Sequence, residues 1–438
     1  FSFNLVWHRR LQFSSLPFII PCDSTMASIA ARSISEARLV DSVVVGGGPA
    51  GLAAIGSLLE HRPQHRQLWV DRLFQAGRVG TSYRQVPSNT KAGLFVDFAT
   101  AVAPFRQIVE AAEEPNPFTA LQQLQQDQGC ELKYAADLCL MLSKGVPRHF
   151  QNVEQRRAKV TSAILNKQTR QWTVALDGKG YTKTSKLVLC TGSSPISQPQ
   201  LMTGGLPENL VTVHLNAALR PSSLGWRIPS DATVAVVGAS HSAVLVLMNL
   251  YKLATTSHPN LRIKWFTRHN DLRYAEYKDG WILYDNTGLK GEAAQWARNN
   301  LEERLFRNSP VKKVITKILT PPEEEQAVYA SELPSCTHLI QAIGFQRNPL
   351  PDLGVVEKAG AETQPLSVYH DASNGRFSAQ PVEASAQGRT YIPGLFGAGI
   401  AFPERVVDPV GNVEDAVGFW KFMKFLKKSV PEWIESSK

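Results

Sequence analysis

Residues 46–52 read GGGPAGL, and they follow LVDSVVV at residues 39–45. A β-branched run of that kind is what a buried parallel strand is made of, and Leu52 to Glu60 continues as a helical segment. The spacing is G-x-G-x-x-G. Gly46 permits the tight turn, Gly48 lets backbone approach a pyrophosphate, and Gly51 lets helix and strand pack closely. Free N–H groups and the positive dipole end at the helix start then face the phosphates. Pro49 falls in the first turn, where a missing N–H costs nothing. A second strand, Gln67 to Val70, ends in Asp71, 20 positions beyond Gly51, where an acid can hydrogen-bond adenosine ribose hydroxyls. Pro49, Ala50, Asp71 and its neighbour Arg72 therefore join the glycines as expected nucleotide contacts.

Thr233 to Val237 is another short apolar strand, and Gly238, Ala239, Ser240, His241, Ser242 and Ala243 follow it before a helical run through Lys252. This is a degenerate copy of the first turn, with Ser240 at the second glycine place and Ala243 at the third, where alanine is tolerated. Gly238, Ser240, His241 and Ser242 are the expected contacts of a second nucleotide. His241 either faces its pyrophosphate or is a buried turn residue. The next strand, Arg262 to Phe266, ends in Thr267 and Arg268 with no acid at the ribose position. A cation there favours a 2′-phosphate, hence NADPH with NADH as the alternative. Arg273 is a second candidate, and a plain surface charge is the other reading of either arginine.

A chain of 438 residues is too long for one ordinary core, so two domains are the natural expectation. Hydrophobic residues make up 43% and charged residues 19%, and no apolar run approaches the roughly 20 residues of a spanning helix. Integral membrane association is not expected. The net charge of +9 is spread along the chain, which argues against a nucleic-acid surface and suits small anionic ligands better. Lys421, Lys424, Lys427 and Lys428 form one compact basic group, read as a solvated helix face.

Cys22, Cys130, Cys139, Cys190 and Cys336 include no close pair. That excludes the usual zinc spacings and a local redox dithiol, so no metal site is expected, and it points to a reducing, cytoplasmic compartment. The first 22 residues lack acids and carry Arg9 and Arg10, the composition of a mitochondrial presequence. The stretch is equally a fragment end or untranslated sequence, since the first methionine is Met26 and the fold-bearing pattern begins near Arg38.

These residues resemble the two-dinucleotide-binding-domain flavoproteins, and the closer likeness is to the flavin-containing monooxygenases. Residues 78–98, RVGTSYRQVPSNTKAGLFVDF, are similar to the monooxygenase stretch in which a G-G-x-W turn precedes an Asn-Thr-x-Lys loop. Gly80, Ser88, Asn89, Thr90 and Lys91 match it, with Tyr83 near the usual tryptophan. LVLCTG at 187–192 resembles the strand that crosses between the domains, bringing Thr191 and Gly192 to the cofactor, and QAIGFQRN at 341–348 resembles its partner. IPGLFGAG at 392–399 resembles the C-terminal flavin motif ending in Gly399, with Ile400 where the reductases carry Asp. DPVGN at 408–412, followed by a helical run to Leu426, would set helix N–H groups at the flavin N1/O2 edge, with Asp408 and Asn412 as contacts.

The resemblance implies a three-layer α/β fold of two Rossmann-like domains, with a small β-meander over Val160–Leu165, Gln171–Leu176 and Tyr181–Thr184 in the FAD domain. The expected division is a leader at 1–37, FAD-binding parts at 38–229 and 335–438, and an inserted NAD(P)H-binding domain at 230–334. FAD is the implied cofactor and NADPH the reductant. The implied reaction is oxygenation of a small molecule through a flavin C4a-hydroperoxide formed with oxygen, which survives only in a dry site. Asn89 is the candidate to hold its proton, or else a turn asparagine. His214 stands near the histidine of the monooxygenase fingerprint, or else is structural. The aromatic segment Tyr274 to Asp285 walls a substrate pocket or packs as a loop on the inserted domain. The alternatives are an NAD(P)H oxidase or reductase that serves oxygen, a quinone or a protein, and a non-enzymatic flavoprotein sensor. Oligomeric state stays open. Disulfide reduction is disfavoured because Cys190 and Cys336 read as core thiols.

Overall fold

The computed structural model describes residues 37–198, 202, 205–381 and 390–436, so Cys22 and nearly all of the expected leader lie outside the described residues. The decisive strand divides in two, Arg38–Val40 (β1) and Ser42–Val45 (β2). Polar Asp41 between them bonds sideways: its N–H donates to Arg66 O at 2.9 Å, and its carboxylate accepts the Arg66 N–H at 2.8 Å. β1 is thereby diverted into a different sheet from β2.

From β2 the chain runs through α1 (Pro49–His61), β3 (Gln67–Asp71), α2 (Gly77–Thr81), β4 (Pro87–Lys91), α3 (Ala92–Thr100), β5 (Gly129–Glu131) and α4 (Leu132–His149). Next come β6 (Val153–Arg157), the meander β7 (Val160–Asn166), β8 (Gln171–Leu176) and β9 (Gly180–Thr184), and then β10 (Leu187–Leu189) and β11 (Ser193–Pro195). A second unit contains β12 (Val211–Thr212), α5 (Leu215–Ala218), β13 (Thr233–Val237), α6 (His241–Thr256), β14 (Arg262–Thr267), β15 (Glu276–Lys278) and β16 (Trp281–Leu283). It closes with α7 (Gly291–Asn300), β17 (Ile315–Leu319), α8 (Glu325–Glu332) and β18 (His338–Gln341). The return consists of β19 (Phe345–Arg347), β20 (Asp352–Val356), β21 (Gln364–Pro365), β22 (Tyr369–His370), β23 (Arg376–Ser378), β24 (Tyr391–Gly397), β25 (Glu404–Val407), β26 (Val413–Ala416) and α9 (Phe419–Glu435).

The first sheet has the order β22-β23-β24-β10-β2-β3-β6, parallel from β24 to β6. Successive side chains on a strand face opposite ways, and both faces are covered here. Val44, Trp69 and Val188 pack on helices α1, α4 and α9, whereas Val43, Leu68 and Leu187 pack on Trp172 and Val174 of the meander. Helices, parallel sheet and meander sheet (β1-β9-β8-β7-β20-β21) give the three layers expected. The second sheet, β12-β18-β13-β14-β17, is parallel throughout and carries helices on both faces.

Sheet membership corrects the expected domain boundaries. Both β12 and the fully buried β18 belong to the second sheet, outside 230–334. The chain crosses between the units on β11 and β19, which pair antiparallel with Ser193 opposite Arg347. Among the described residues no single helix is long and apolar enough to cross a membrane.

Candidate active site

The two glycine turns are built alike. Gly46 has φ +119° and Gly238 φ +128°, a region L side chains rarely adopt. The Gly46 N–H donates to Val70 O at 2.8 Å, and the Gly238 N–H to Phe266 O at 3.0 Å. A Cβ on Gly46 would lie 2.2 Å from Cys190 O, and one on Gly238 2.4 Å from Ala342 O. Each glycine carbonyl accepts a buried indole N–H, Trp69 Nε1 at 2.8 Å in the first turn and Trp265 Nε1 at 2.7 Å in the second. Sequence reasoning missed these tryptophans, although both stand two residues before the strand end, in QLWVD and IKWFT.

At the first turn, a Cβ on Gly51 would sit 1.8 Å from Gly46 O, so α1 rests on the strand only because Gly51 has none. Phe74, Ala76 and Gly77 all have positive φ, and this tight segment brings Gly77 against Gly48, where an added Cβ on Gly77 would lie 3.1 Å from Gly48 Cα. Gly77 was not anticipated. On the opposite side, a Cβ on Gly399 would lie 2.4 Å from Ala50 Cβ, placing the end of the C-terminal motif against the first turn of α1 behind Pro49. Such a cradle, closed to side chains on several sides and ending in free helix N–H groups, fits a diphosphate. Among the described residues the buried Thr191 hydroxyl has no partner, while Asn348 holds Thr191 O at 2.8 Å and Gly192 O at 3.0 Å. Arg78 ties α2 to the same crossing strand through Ser193 O and Ser194 Oγ, both at 2.5 Å.

Three expectations here are modified. Both Asp71 oxygens already carry backbone N–H groups, Gly47 at 2.7 Å, Leu73 at 2.8 Å and Phe74 at 2.7 Å, so Asp71 shapes the turn itself. Arg72 is exposed. Gly80 serves the tight turn of α2, where a Cβ would lie 2.1 Å from Gln75 O.

At the second turn Ser240 caps α6 by position without a side-chain bond, and His241 and Ser242 open the helix. Burial, with the Lys290 charge adding to it, pushes the His241 imidazole down to about 4, and its buried Nδ1 has no partner among the described residues. Arg268 does not stand free as expected. Its Nε and Nη2 donate to the two carboxylate oxygens of Glu325 on α8, both at 3.0 Å, a planar fork meeting a planar acid. Arg273 lies over the Tyr284 ring at 5.1 Å.

The two units meet where the start of α7 reaches β4. A Cβ on Gly291 would lie 3.4 Å from Ser88 O and 3.9 Å from Asn89 Cα. Asn89 is exposed there, on a strand paired with β5 rather than in the expected loop, because residues 129–131 supply an antiparallel partner. Beside it runs a polar clasp. Asp285 meets Lys290 at 2.6 Å and Lys421 at 2.5 Å. Burial works to raise the Asp285 carboxyl, and the two ammonium groups overcome it to hold that carboxyl below its usual range. Buried Glu414 accepts from Asn286 N at 3.0 Å and Thr287 Oγ1 at 2.5 Å. Lys421, expected on a solvated face, is thus turned inward, while Lys424, Lys427 and Lys428 are exposed.

Two further corrections follow. His214 is an exposed N-cap whose Nδ1 accepts the Asn216 N–H at 3.1 Å, which is a structural use of the ring. DPVGN does not open a helix; it is the turn between β25 and β26, in which Asp408 Oδ1 accepts the Asn412 N–H at 2.8 Å and Asp408 Oδ2 the Asn412 amide at 2.7 Å. The helix begins only at Phe419. Cys190 and Cys336 are buried, and burial pushes the Cys190 thiol up to about 12.

No protein-family model matches the chain. It is 49% identical over 403 residues to Monooxygenase AgnR1 of Paecilomyces divaricatus, covering 90% of this chain and 97% of that protein. Its fold is similar to that of the ornithine N-hydroxylase KtzI from Kutzneria sp. 744, solved with reduced FAD, NADP+ and L-ornithine (TM-score 0.59, 13% identity, 91% of this chain and 100% of that one). It is also similar to a doubly substituted mutant of a flavin monooxygenase from Stenotrophomonas maltophilia (TM-score 0.53, 13% identity, 91% and 99% covered). Extended identity places the chain in a family, and its fold is the one seen in the FAD- and NADP-bound neighbour KtzI: it belongs with Monooxygenase AgnR1 among the monooxygenases.

Proposed function

We propose that this enzyme binds FAD on the Gly46–Gly51 turn, binds NADPH on the Gly238–Ser242 turn, and oxygenates a small molecule between them. The observation that carries this reading is the duplicated turn, in which two stretches far apart in sequence build the same glycine, indole and neighbouring-carbonyl arrangement at the head of a helix. FAD when bound supplies the redox chemistry, taking hydride from the nicotinamide and passing electrons to oxygen. The protein's own contribution is to position and to keep water out. Gly77 and Gly399 leave room beside Gly48 and Ala50 for a diphosphate, and the Thr191 hydroxyl is free to donate to it. His241, held neutral, leaves the α6 N-terminus without a competing charge of its own. Asn89 offers an amide at the junction of the two units, and the clasp around Asp285 and Glu414 closes that junction with satisfied polar groups. The nicotinamide-binding domain in this reading is the segment between β11 and β19. Among the described residues Cys130, Cys139, Cys190 and Cys336 are unpaired, and the last three are buried, which supports a reducing compartment, the cytoplasm.

The test is rapid mixing. NADPH is added anaerobically to the holoprotein, and oxygen follows once the flavin has bleached. Bleaching and then a long-lived absorbing species that precedes reoxidation support the reading. Immediate reoxidation with one peroxide released per flavin makes the enzyme an oxidase, and absence of bleaching removes NADPH from the scheme.

A further inference from the structure

Exposed apolar side chains are concentrated on two hairpins. Among the described residues sixteen large apolar side chains are exposed, and nine of them fall within 277–282 and 400–417. Tyr277 is 80% exposed and Trp281 54% on β15–β16, while Val407, Val410 and Val413 are 56–58% exposed on β25–β26. Among the described residues each hairpin is a two-stranded ribbon without a third strand. Tyr277 pairs across with Ile282 and Val407 with Val413, so apolar side chains stand together on one face of each. An isolated ribbon gains little by exposing such a face to water, and a contiguous apolar patch marks a binding surface.

Both hairpins are rooted at the candidate active site. β25 starts at Glu404, five residues after Gly399. β16 leads through Asp285 and Lys290 into α7, whose first residue faces Ser88 and Asn89. The roots are joined across the domain junction, since Glu414 of β26 accepts from Asn286 and Thr287. The Tyr284 backbone N–H reaches the Asp408 carboxylate of the other hairpin's turn.

The charges at these roots decide what the hairpins can receive. Asp285 lies between two lysines, Glu414 is held by Asn286 and Thr287, Asp408 binds its own turn, and Asp415 stands opposite Arg405. An ammonium group brought here would find Asp285, Glu414 and Asp408 already bonded, and a charge removed from water without a partner is costly. The hairpins' acids outnumber their bases, Glu276, Asp279, Glu404, Asp408, Glu414 and Asp415 against Lys278 and Arg405, which disfavours an anionic lipid surface.

We propose that the two hairpins form an apolar mouth over the active site, and that the substrate is an uncharged, largely apolar molecule rather than an amine. This rests on the monooxygenase reading above and specifies its substrate class. The test is equilibrium dialysis of the holoprotein with 2-acetylnaphthalene and, separately, with 1,5-diaminopentane, while NADPH bleaching of the flavin is followed in parallel. The wild type binds the aromatic ketone and not the diamine. The exposed double substitution Tyr277→Ser with Val413→Ser weakens ketone binding roughly tenfold or more, because two apolar contacts are lost. Trp226→Ser, which removes a side chain 92% exposed outside both hairpins, leaves that binding as it was. Tighter binding of the diamine, no binding of the ketone, or equal ketone binding by the double variant overturns the proposal. So does a dimer, or attachment to phosphatidylcholine vesicles, that the double variant loses while it keeps ketone binding. If the flavin does not bleach with NADPH, the monooxygenase reading fails, and the dialysis still judges the mouth on its own.

Discussion

Replacing Gly51 with alanine tests the first turn at its tightest point. The new Cβ would sit 1.8 Å from Gly46 O, whereas ordinary contact begins at 3.4 Å, so the start of α1 must retreat by 3.4 − 1.8 = 1.6 Å. A helix N–H that would meet a phosphate oxygen at about 2.9 Å then stands at about 4.5 Å, beyond hydrogen bonding. Charge-assisted bonds are worth roughly 1.5–3 kcal/mol each. Losing two removes about 3–6 kcal/mol of FAD affinity, or roughly a 10²–10⁴-fold rise in Kd at about 1.4 kcal/mol per tenfold. The assay is titration of apoprotein with FAD by flavin fluorescence, with circular dichroism to verify that the fold is kept. The second turn provides the control, because Ala243 already occupies the equivalent place and its Cβ would clear a Cβ on Gly238 by 3.5 Å. Ala243→Gly therefore loses only about 1 kcal/mol of helix stability. A folded Gly51→Ala protein that binds FAD within threefold of wild type would refute the reasoning.

Arg268→Ala raises KM for NADPH and NADH by similar factors, because the guanidinium is committed to Glu325; steady-state kinetics with a selective loss of NADPH would restore the phosphate role. His214→Ala costs about 0.5–2 kcal/mol as a lost N-cap and leaves NADPH-driven turnover within twofold, which thermal melts and initial rates check together. His241 and His370 have imidazoles pushed down by burial, to about 4 and about 3, from a usual 6.5. Their neutral forms favour the folded state fully above 6.5, and that contribution is lost as pH falls from 6.5 towards 4, where the unfolded chain takes up protons that the native state refuses. Melting temperature across that window should therefore fall less steeply in His241→Gln than in wild type; parallel profiles would contradict the assignment. Asp408→Ala loosens the β25–β26 turn without changing FAD affinity, and a tenfold loss of FAD binding would return Asp408 to the flavin.

Features with a local cause were legible in the sequence. Gly46, Gly48 and Gly51 are read from spacing alone, and the meander follows from alternation around Asp177–Gly180. What escaped depended on partners distant in sequence. Arg268 reads as a free cation until Glu325 is brought beside it by the packing of α8. Asn89 reads as a loop residue until residues 129–131 arrive to pair with it. Asp408 and Asn412 bond to one another, which makes a hairpin turn, and glycine-containing turns precede strands and helices alike. β18 reads as part of the return to the first domain because an apolar strand carries no mark of which sheet it joins. The paired tryptophans Trp69 and Trp265 could have been found, since comparing the two strands that follow the glycine turns shows them in register.

The antiparallel pair β11–β19 also has a bearing on how this architecture arises and can be altered. Its two strands are the outgoing and incoming covalent links of the inserted unit, and partners across such a pair stand only about 5 Å apart. The insert therefore begins and ends at one spot on its host. A short turn across that gap would close the host chain, and any other domain with adjacent termini could be spliced in its place without rethreading a strand of the first sheet. The segment between β11 and β19, proposed above to hold the reductant, is in this sense a cassette, exchangeable as a unit while the first glycine turn and its sheet remain intact.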